Sequence, residues 1–204
     1  MNIRFITILF IALILPLSSN AQGIKFNSTY IVAEAGVTKN SLALSGPFSA
    51  LQSNDKSGAS FGATIGYRTL LSSNFVVGLE GSLASSSGST SVSDGFDTLS
   101  FDSNLLYGAY LTAGFAFGEM NQALLYALLG VGGTNADVAV AGVFTGNNSI
   151  SDNGSGISFG GAFEYGITET LGVRVKALHT QYRGDIEGLR VRDTSVMGGV
   201  VFSF

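Results

Sequence analysis

In "NFVVGLEGSLA" (74 to 84) the bulky apolar residues Phe75, Val77, Leu79 and Leu83 share one parity, while Gly78, Glu80 and Ser82 share the other. That is the period of a β-strand with two unlike faces. "FGATIGYRT" sets Phe61, Ala63, Ile65 and Tyr67 against Thr64, Gly66 and Arg68, and "FGGAFEYGI" sets Phe159, Phe163, Tyr165 and Ile167 against Gly160, Ala162, Glu164 and Gly166. Eight such segments are predicted, near Ser28 to Thr38, Ala59 to Thr69, Asn74 to Ala84, Leu105 to Phe117, Leu124 to Ala136, Ile157 to Ile167, Leu171 to Tyr182 and Arg192 to Phe204. Short connections (69 to 74, 118 to 123, 168 to 171) alternate strictly with long polar ones (39 to 58, 85 to 104, 137 to 156, 183 to 191). In an up-and-down sheet this puts the long loops at one end, and the short turns and both termini at the other.

In a water-soluble β-protein the polar face is the solvated one and carries long charged side chains. Here it is mostly Gly, Ala, Ser and Thr, which suits a cramped interior and leaves the apolar face outside. The fold class predicted is all-β, a closed antiparallel up-and-down transmembrane β-barrel of eight strands. A hairpin hidden in "STSVSDGFDTLSF" would raise the count to ten; alternatively this stretch extends its flanking strands beyond the membrane. Tyr30, Tyr67, Phe117, Phe163, Tyr165, Phe202 and Phe204 are expected to form an aromatic girdle at the short-turn end, without Trp.

Composition agrees. Charged residues are 12% of the chain, against about 25% in an ordinary soluble domain, while glycines number 28. The chain has 0 Cys, so neither a disulfide nor a thiolate metal site can hold it. Arg4, the apolar run "FITILFIALILPL" and "SNA" before Gln22 read as a signal peptide, Met1 to Ala21, removed on export, leaving the barrel domain as 22 to 204. The 13-residue run from Phe5 to Leu17 is short of the ~18 or more that a spanning helix needs. Loss of Arg4 moves the net charge from −4 to −5, and no basic footprint for nucleic acid is present.

With "STYIVAEAGVT", "FGATIGYR" followed by "NFVVGLEGS", "GGAFEYGITETLGVRVKAL" and the closing "SVMGGVVFSF", the chain resembles the small eight-stranded outer-membrane β-barrels related to the OmpA N-terminal barrel, OmpX and the Opa-type proteins. The resemblance implies an outer membrane in a two-membrane bacterium, with lipid and lipopolysaccharide around the barrel. It also implies that Val196, Val200, Phe202 and Phe204 form the last-strand signal read by the barrel assembly machinery, with Met197, Gly199, Val201 and Ser203 turned inward.

Alternation places Glu34, Arg68, Glu80, Glu164, Arg174 and Lys176 on inward faces. Glu164 is expected opposite Arg174 or Lys176 across the "TETL" turn, within cross-strand pairing distance. Eight strands enclose an interior just wide enough for side chains, so these charges read as a hydrogen-bonded plug, with a gated minor conductance as the alternative. The lone histidine, His179, shares the outward parity of Val173, Val175 and Ala177 and builds neither a metal site nor a triad by itself. No enzyme and no cofactor is predicted. "SDNGSG" (151 to 156) lacks the distal Glu of a calcium loop and reads as a flexible loop tip, and "GVGG" (130 to 133) as glycines easing close strand packing. Arg183, Arg190 and Arg192 sit by the last hairpin, facing phosphorylated head groups or pairing on a solvated rim with Asp185, Glu187 and Asp193. The function expected is a structural or surface-interaction role; the alternatives are a narrow channel for small solutes and an adhesin or ligand-binding surface protein.

Overall fold

The computed structural model describes residues 26–44, 52–71, 74–87, 89–93, 97–118, 121–142, 148–183 and 189–204. The expected leader, Met1 to Ala21, lies outside them. In chain order the strands are β1 (Ser28–Leu44), β2 (Gln52–Leu70), β3 (Phe75–Ser86), β4 (Ser89–Ser93), β5 (Asp97–Phe117), β6 (Ala123–Gly142), β7 (Asn148–Gly166), β8 (Leu171–Arg183) and β9 (Leu189–Ser203). Each is antiparallel to its neighbours, and β1 pairs with both β2 and β9, so the sheet closes on itself. The short β4 runs between β2 and β5 as a continuation of β3, with Asp55 opposite Thr90 and Phe101 opposite Thr90. The barrel therefore has eight staves, and "STSVSDGFDTLSF" extends them rather than adding a pair.

Closure removes the edges that would leave unpaired backbone in lipid. At the seam Val201 pairs with Val32 and Val196 with Val37, and the Phe204 amide donates to the Thr29 carbonyl at 2.9 Å. At the short-turn end Asn74 (φ 64°), Gly118 (φ 85°) and Asn121 (φ 53°) take the left-handed conformations tight reversals need. Asn121 Nδ2 donates to Asn74 Oδ1 at 3.3 Å, tying two turns together.

The long connections differ from expectation. Most of 39 to 58, 85 to 104 and 137 to 156 is strand, paired residue by residue, as in Asp137 opposite Ser151 and Lys39 opposite Ser57. "SDNGSG" is part of β7, laddered against β6, so it is no loop tip. Pairing continued from the apolar part of each stave holds these residues extended, although Ser, Asn, Asp and Gly have little strand preference of their own.

The two faces separate cleanly. Leu79, Leu111, Leu125, Val131, Ile157 and Phe61 point outward at 58 to 65% exposure, whereas Val32, Leu128 and Val201 point inward at 0 to 2%. The outer apolar belt ends along a row where Lys39, Thr194 and His179 stand side by side on β1, β9 and β8, one row beyond Val37 and Val196. Residues beyond that row lie outside the membrane-spanning part. Inside, Gly66 leaves space for the Tyr30 ring and Gly108 for the Tyr110 phenol; a Cβ at either would run into the ring.

The girdle holds for Phe117, Phe163, Tyr165, Phe202 and Phe204, all exposed on the outer face. Tyr67 is half-buried. Tyr30 does not belong to the girdle: it is buried in the lumen because it shares the parity of Val32 and Glu34.

Candidate functional site: a network across the lumen

Glu34, Arg68, Glu80, Glu164, Arg174 and Lys176 all point into the barrel and are 2 to 7% exposed. The staves β1, β2, β3, β7 and β8 deliver these charges by the same alternation that sends the neighbouring apolar side chains outward. Closure then brings together residues far apart in the chain.

Nearest the short turns, Arg68 Nη1 and Nη2 donate to Glu164 Oε2 and Oε1 at 2.8 and 2.9 Å, a bidentate pair that fits a planar guanidinium to a carboxylate. The same guanidinium lies over the rings of Tyr30, at 4.3 Å, and Phe26, at 4.8 Å, and reaches Ser203 Oγ at 3.3 Å. One layer further, Glu80 Oε1 accepts from Tyr30 at 2.6 Å, Tyr126 at 3.0 Å and Arg174 Nη1 at 2.9 Å. Arg174 also donates to the Tyr126 hydroxyl at 2.9 Å and pairs through Nη2 with Glu34. Glu34 in turn accepts from Lys176 at 2.8 Å and from Thr64 at 3.2 Å.

Glu164 has the cross-strand neighbour expected of it, but not as its ion-pair partner. Arg174 stands opposite Glu164 in the β7–β8 register. Its guanidinium instead serves Glu80 and Glu34, and Glu164 takes Arg68 from across the lumen. The interior is narrow enough that side chains bridge facing walls, and Arg68 can chelate both Glu164 oxygens there.

Three carboxylates and three cations make this set neutral, which offsets the cost of burying each of them. The tyrosines complete it: Tyr30 and Tyr126 donate to the same Glu80 oxygen that Arg174 bonds. The residues missed from the sequence are those hydroxyl donors, together with Tyr110, which accepts from Ser82 at 3.3 Å. Parity alone would have found them, since each lies an even number of positions from an inward neighbour.

Above the charges come hydroxyl pairs, Thr38 with Ser60 at 2.6 Å and Ser158 with Thr180 at 2.8 Å. A cavity of about 40 Å³ lies there, lined among others by Tyr110, Lys176, Thr180, Tyr182 and Asp193; a recess of about 10 Å³ lies below, by Phe26, Arg68 and Glu164. A single water needs at least about 10 to 15 Å³, so the larger space has room for a few waters and the smaller for about one at most. Asp193 is buried at 5% exposure. It points inward and so is not the rim partner expected for the arginines; Arg183 and Arg190 have side chains outside the described residues.

His179 is on the outer face, as its parity requires. Its ring meets Phe159 at 5.1 Å and its Nδ1 is 2.9 Å from Thr194 Oγ1. Gly130 and Gly133 of "GVGG" pack in β6 against the Ala109 backbone and the Tyr107 ring. Among the described residues no group of three or more His, Cys, Asp or Glu could hold a metal ion. Val196, Val200, Phe202 and Phe204 point outward and are exposed, while Met197 and Val201 are inward and buried.

An apolar exterior, a charged and filled interior and a sheet without edges define a transmembrane β-barrel. The chain belongs to the outer membrane protein beta-barrel domain family, which it matches over residues 7–204, and the outer membrane is therefore its location. No curated protein sequence matches it. Among solved structures it is similar to Neisserial surface protein A (NspA), with 16% identity, a TM-score of 0.52, and coverage of 86% of this chain and 97% of that one; at this identity the likeness shows the fold alone. It is also similar to Ail of Yersinia pestis in complex with the heparin analogue sucrose octasulfate (16% identity, TM-score 0.48, 86% and 99% covered). Outer membrane protein OprG of Pseudomonas aeruginosa matches as well (14% identity, TM-score 0.49, 89% and 99% covered).

Proposed function

We propose that this is a plugged outer-membrane barrel whose role is structural and surface-interactive, exercised through the strands that project beyond the membrane belt. The observation carrying this reading is the continuous series from Glu164 through Arg68, and from Glu80 through Arg174 and Glu34 to Lys176, which fills the cross-section. A solute would have to break several desolvated ion pairs to pass, each strongly resisting separation. The lines of support for a surface role are the extra length of β5, β6 and β7 at one end and the acid-rich stretches there.

A second reading, a narrow gated pore, has one specific observation in its favour: Glu80 Oε2 and Arg174 Nε are buried without a hydrogen-bond partner, so an alternative pairing has atoms ready for it. Planar-bilayer recording separates the two. The plug predicts no steady single-channel current from the wild type and brief openings from an Arg174→Ala, Glu80→Ala double variant. Sustained wild-type conductance would overturn it in favour of the pore.

The same reading takes Met1 to Ala21 as the export signal and places the termini on the periplasmic side. It puts outer-leaflet lipopolysaccharide at the Lys39 row and at Arg192 beyond it, and has the assembly machinery bind Val196, Val200, Phe202 and Phe204. An adhesin or ligand-binding role would differ from a purely structural one in being lost when the projecting strands are shortened while insertion is retained.

A further inference from the structure

Each of the six lumen charges is carried by a strand, from Glu34 on β1 to Lys176 on β8, but the side chain that covers them at the short-turn end is not. Phe26 precedes β1, whose first ladder pair with β2 is Ser28 with Arg68, so its backbone lies outside the closed ring of staves. The residue is nonetheless 2% exposed. It belongs to the buried apolar cluster with Val76, Ala116 and Leu124, and the Arg68 guanidinium lies over its ring at 4.8 Å. The recess of about 10 Å³ at that mouth is bounded by Phe26 together with Arg68, Glu164 and Glu169.

A ring laid over a buried ion pair keeps water away from it and so strengthens the pair. What holds Phe26 is the packing of its side chain, whereas a strand residue is also held by the ladder to its neighbours, so the ring can leave without unpairing β1. The groups it would uncover are ones that water solvates well: the Arg68–Glu164 pair, with Arg68 Nε and Ser28 Oγ, which are buried without a hydrogen-bond partner among the described residues. Water meeting those atoms offsets part of the apolar contact the ring gives up. We propose that Phe26 is a hinged stopper of the lumen. Seated, it seals the short-turn mouth; swung out about Asn27, it opens a vestibule for water that reaches Arg68 and Glu164 and ends at the Glu80–Arg174 layer.

The vestibule ends there because the next layer is fixed by the sheet. Glu80 and Arg174 stand on β3 and β8 and are bonded to Tyr30 of β1, Tyr126 of β6 and Glu34 of β1. The Tyr30 ring, 4.3 Å from the Arg68 guanidinium, stays in place when Phe26 leaves. Arg68 is thus screened by one ring that the sheet fixes and one that it does not. Such an opening is local and costs less than unpairing the barrel. The inference rests on the reading of the lumen as plugged, and adds to the fixed network a moving part in series with it.

The test is proton exchange with water at the Arg68 and Arg174 Nε–H groups, followed by NMR on the full chain in phospholipid nanodiscs. In the wild type Arg68 is expected to exchange about tenfold faster than Arg174, because the stopper opens while the sheet stays paired. Phe26→Ala should accelerate Arg68 by a further factor of about ten and leave Arg174 unchanged. Phe26→Leu keeps an apolar plug and should hold Arg68 within about threefold of the wild-type rate, whereas exchange as fast as in Phe26→Ala overturns a steric seal. Equal wild-type rates at the two arginines mean that both wait for the barrel to open, and overturn the hinge. Acceleration of both by Phe26→Ala makes the ring ordinary packing, and an unchanged Arg68 puts the seal elsewhere; either result overturns the stopper. Sustained wild-type current in a planar bilayer is a separate outcome, which refutes the plugged reading itself.

Discussion

At the residue scale, Arg68 and Glu164 show how a charge tolerates the lumen. Arg68 is buried, chelated by Glu164 and stacked on Tyr30. Arg68→Ala would leave Glu164 desolvated and alone, at an expected cost of about 3 to 5 kcal/mol in unfolding free energy. The double change Arg68→Met, Glu164→Met removes the whole pair and should cost less than either half. Urea unfolding from lipid vesicles measures both, and a double variant as unstable as the sum of its parts would refute the compensation. Which residues face inward was legible in the sequence, because period two assigns Glu34, Arg68, Glu80, Glu164, Arg174 and Lys176 without further information. Their partners were not. The Arg68–Glu164 contact joins β2 to β7 across a closed interior, and no local spacing encodes that separation. Nearness to the turns suggests the girdle for Tyr30, yet its four-residue distance from Glu34 fixes it inside.

At the scale of the element, β9 combines two demands. Its outward residues Val196, Val200, Phe202 and Phe204 meet lipid, and its inward Val201 is fully buried against Tyr30 and Val32. Because the Phe204 amide is bonded to Thr29, removing the residue takes away one seam hydrogen bond and an exposed ring, and leaves the packing of the lumen intact. Deleting Phe204 should therefore slow insertion in cells severalfold while leaving the stability of barrel already folded within about 1 kcal/mol. Pulse-chase protease resistance reads the first and urea unfolding the second. The apolar lengths of the staves were legible from alternation, and the turns from "TETL" and "GEMNQA". The projecting lengths were not, since their Ser, Asn, Asp and Gly residues carry little of the apolar alternation that identifies a strand. β4, "STSVS", is strand only because β2 and β5 flank it.

At the scale of the whole molecule the distribution of surfaces is inverted relative to a soluble protein, with large apolar side chains outside and every described lumen charge but Asp193 paired inside. So extensive an apolar surface is untenable in water, where a monomer's largest patch is about 300 to 600 Å²; a bilayer supplies the missing contact. The chain has 0 Cys, so single cysteines can carry spin labels without background. Labels at the exposed Leu111 and Leu129 lie within the belt, and a label at Thr194 lies just beyond it. In bilayers the inverted barrel predicts that dissolved oxygen relaxes the labels at 111 and 129 far more than a water-soluble nickel chelate does, with the order reversed at 194. Nickel reaching position 111 as readily as position 194 would place that face in water and contradict the account.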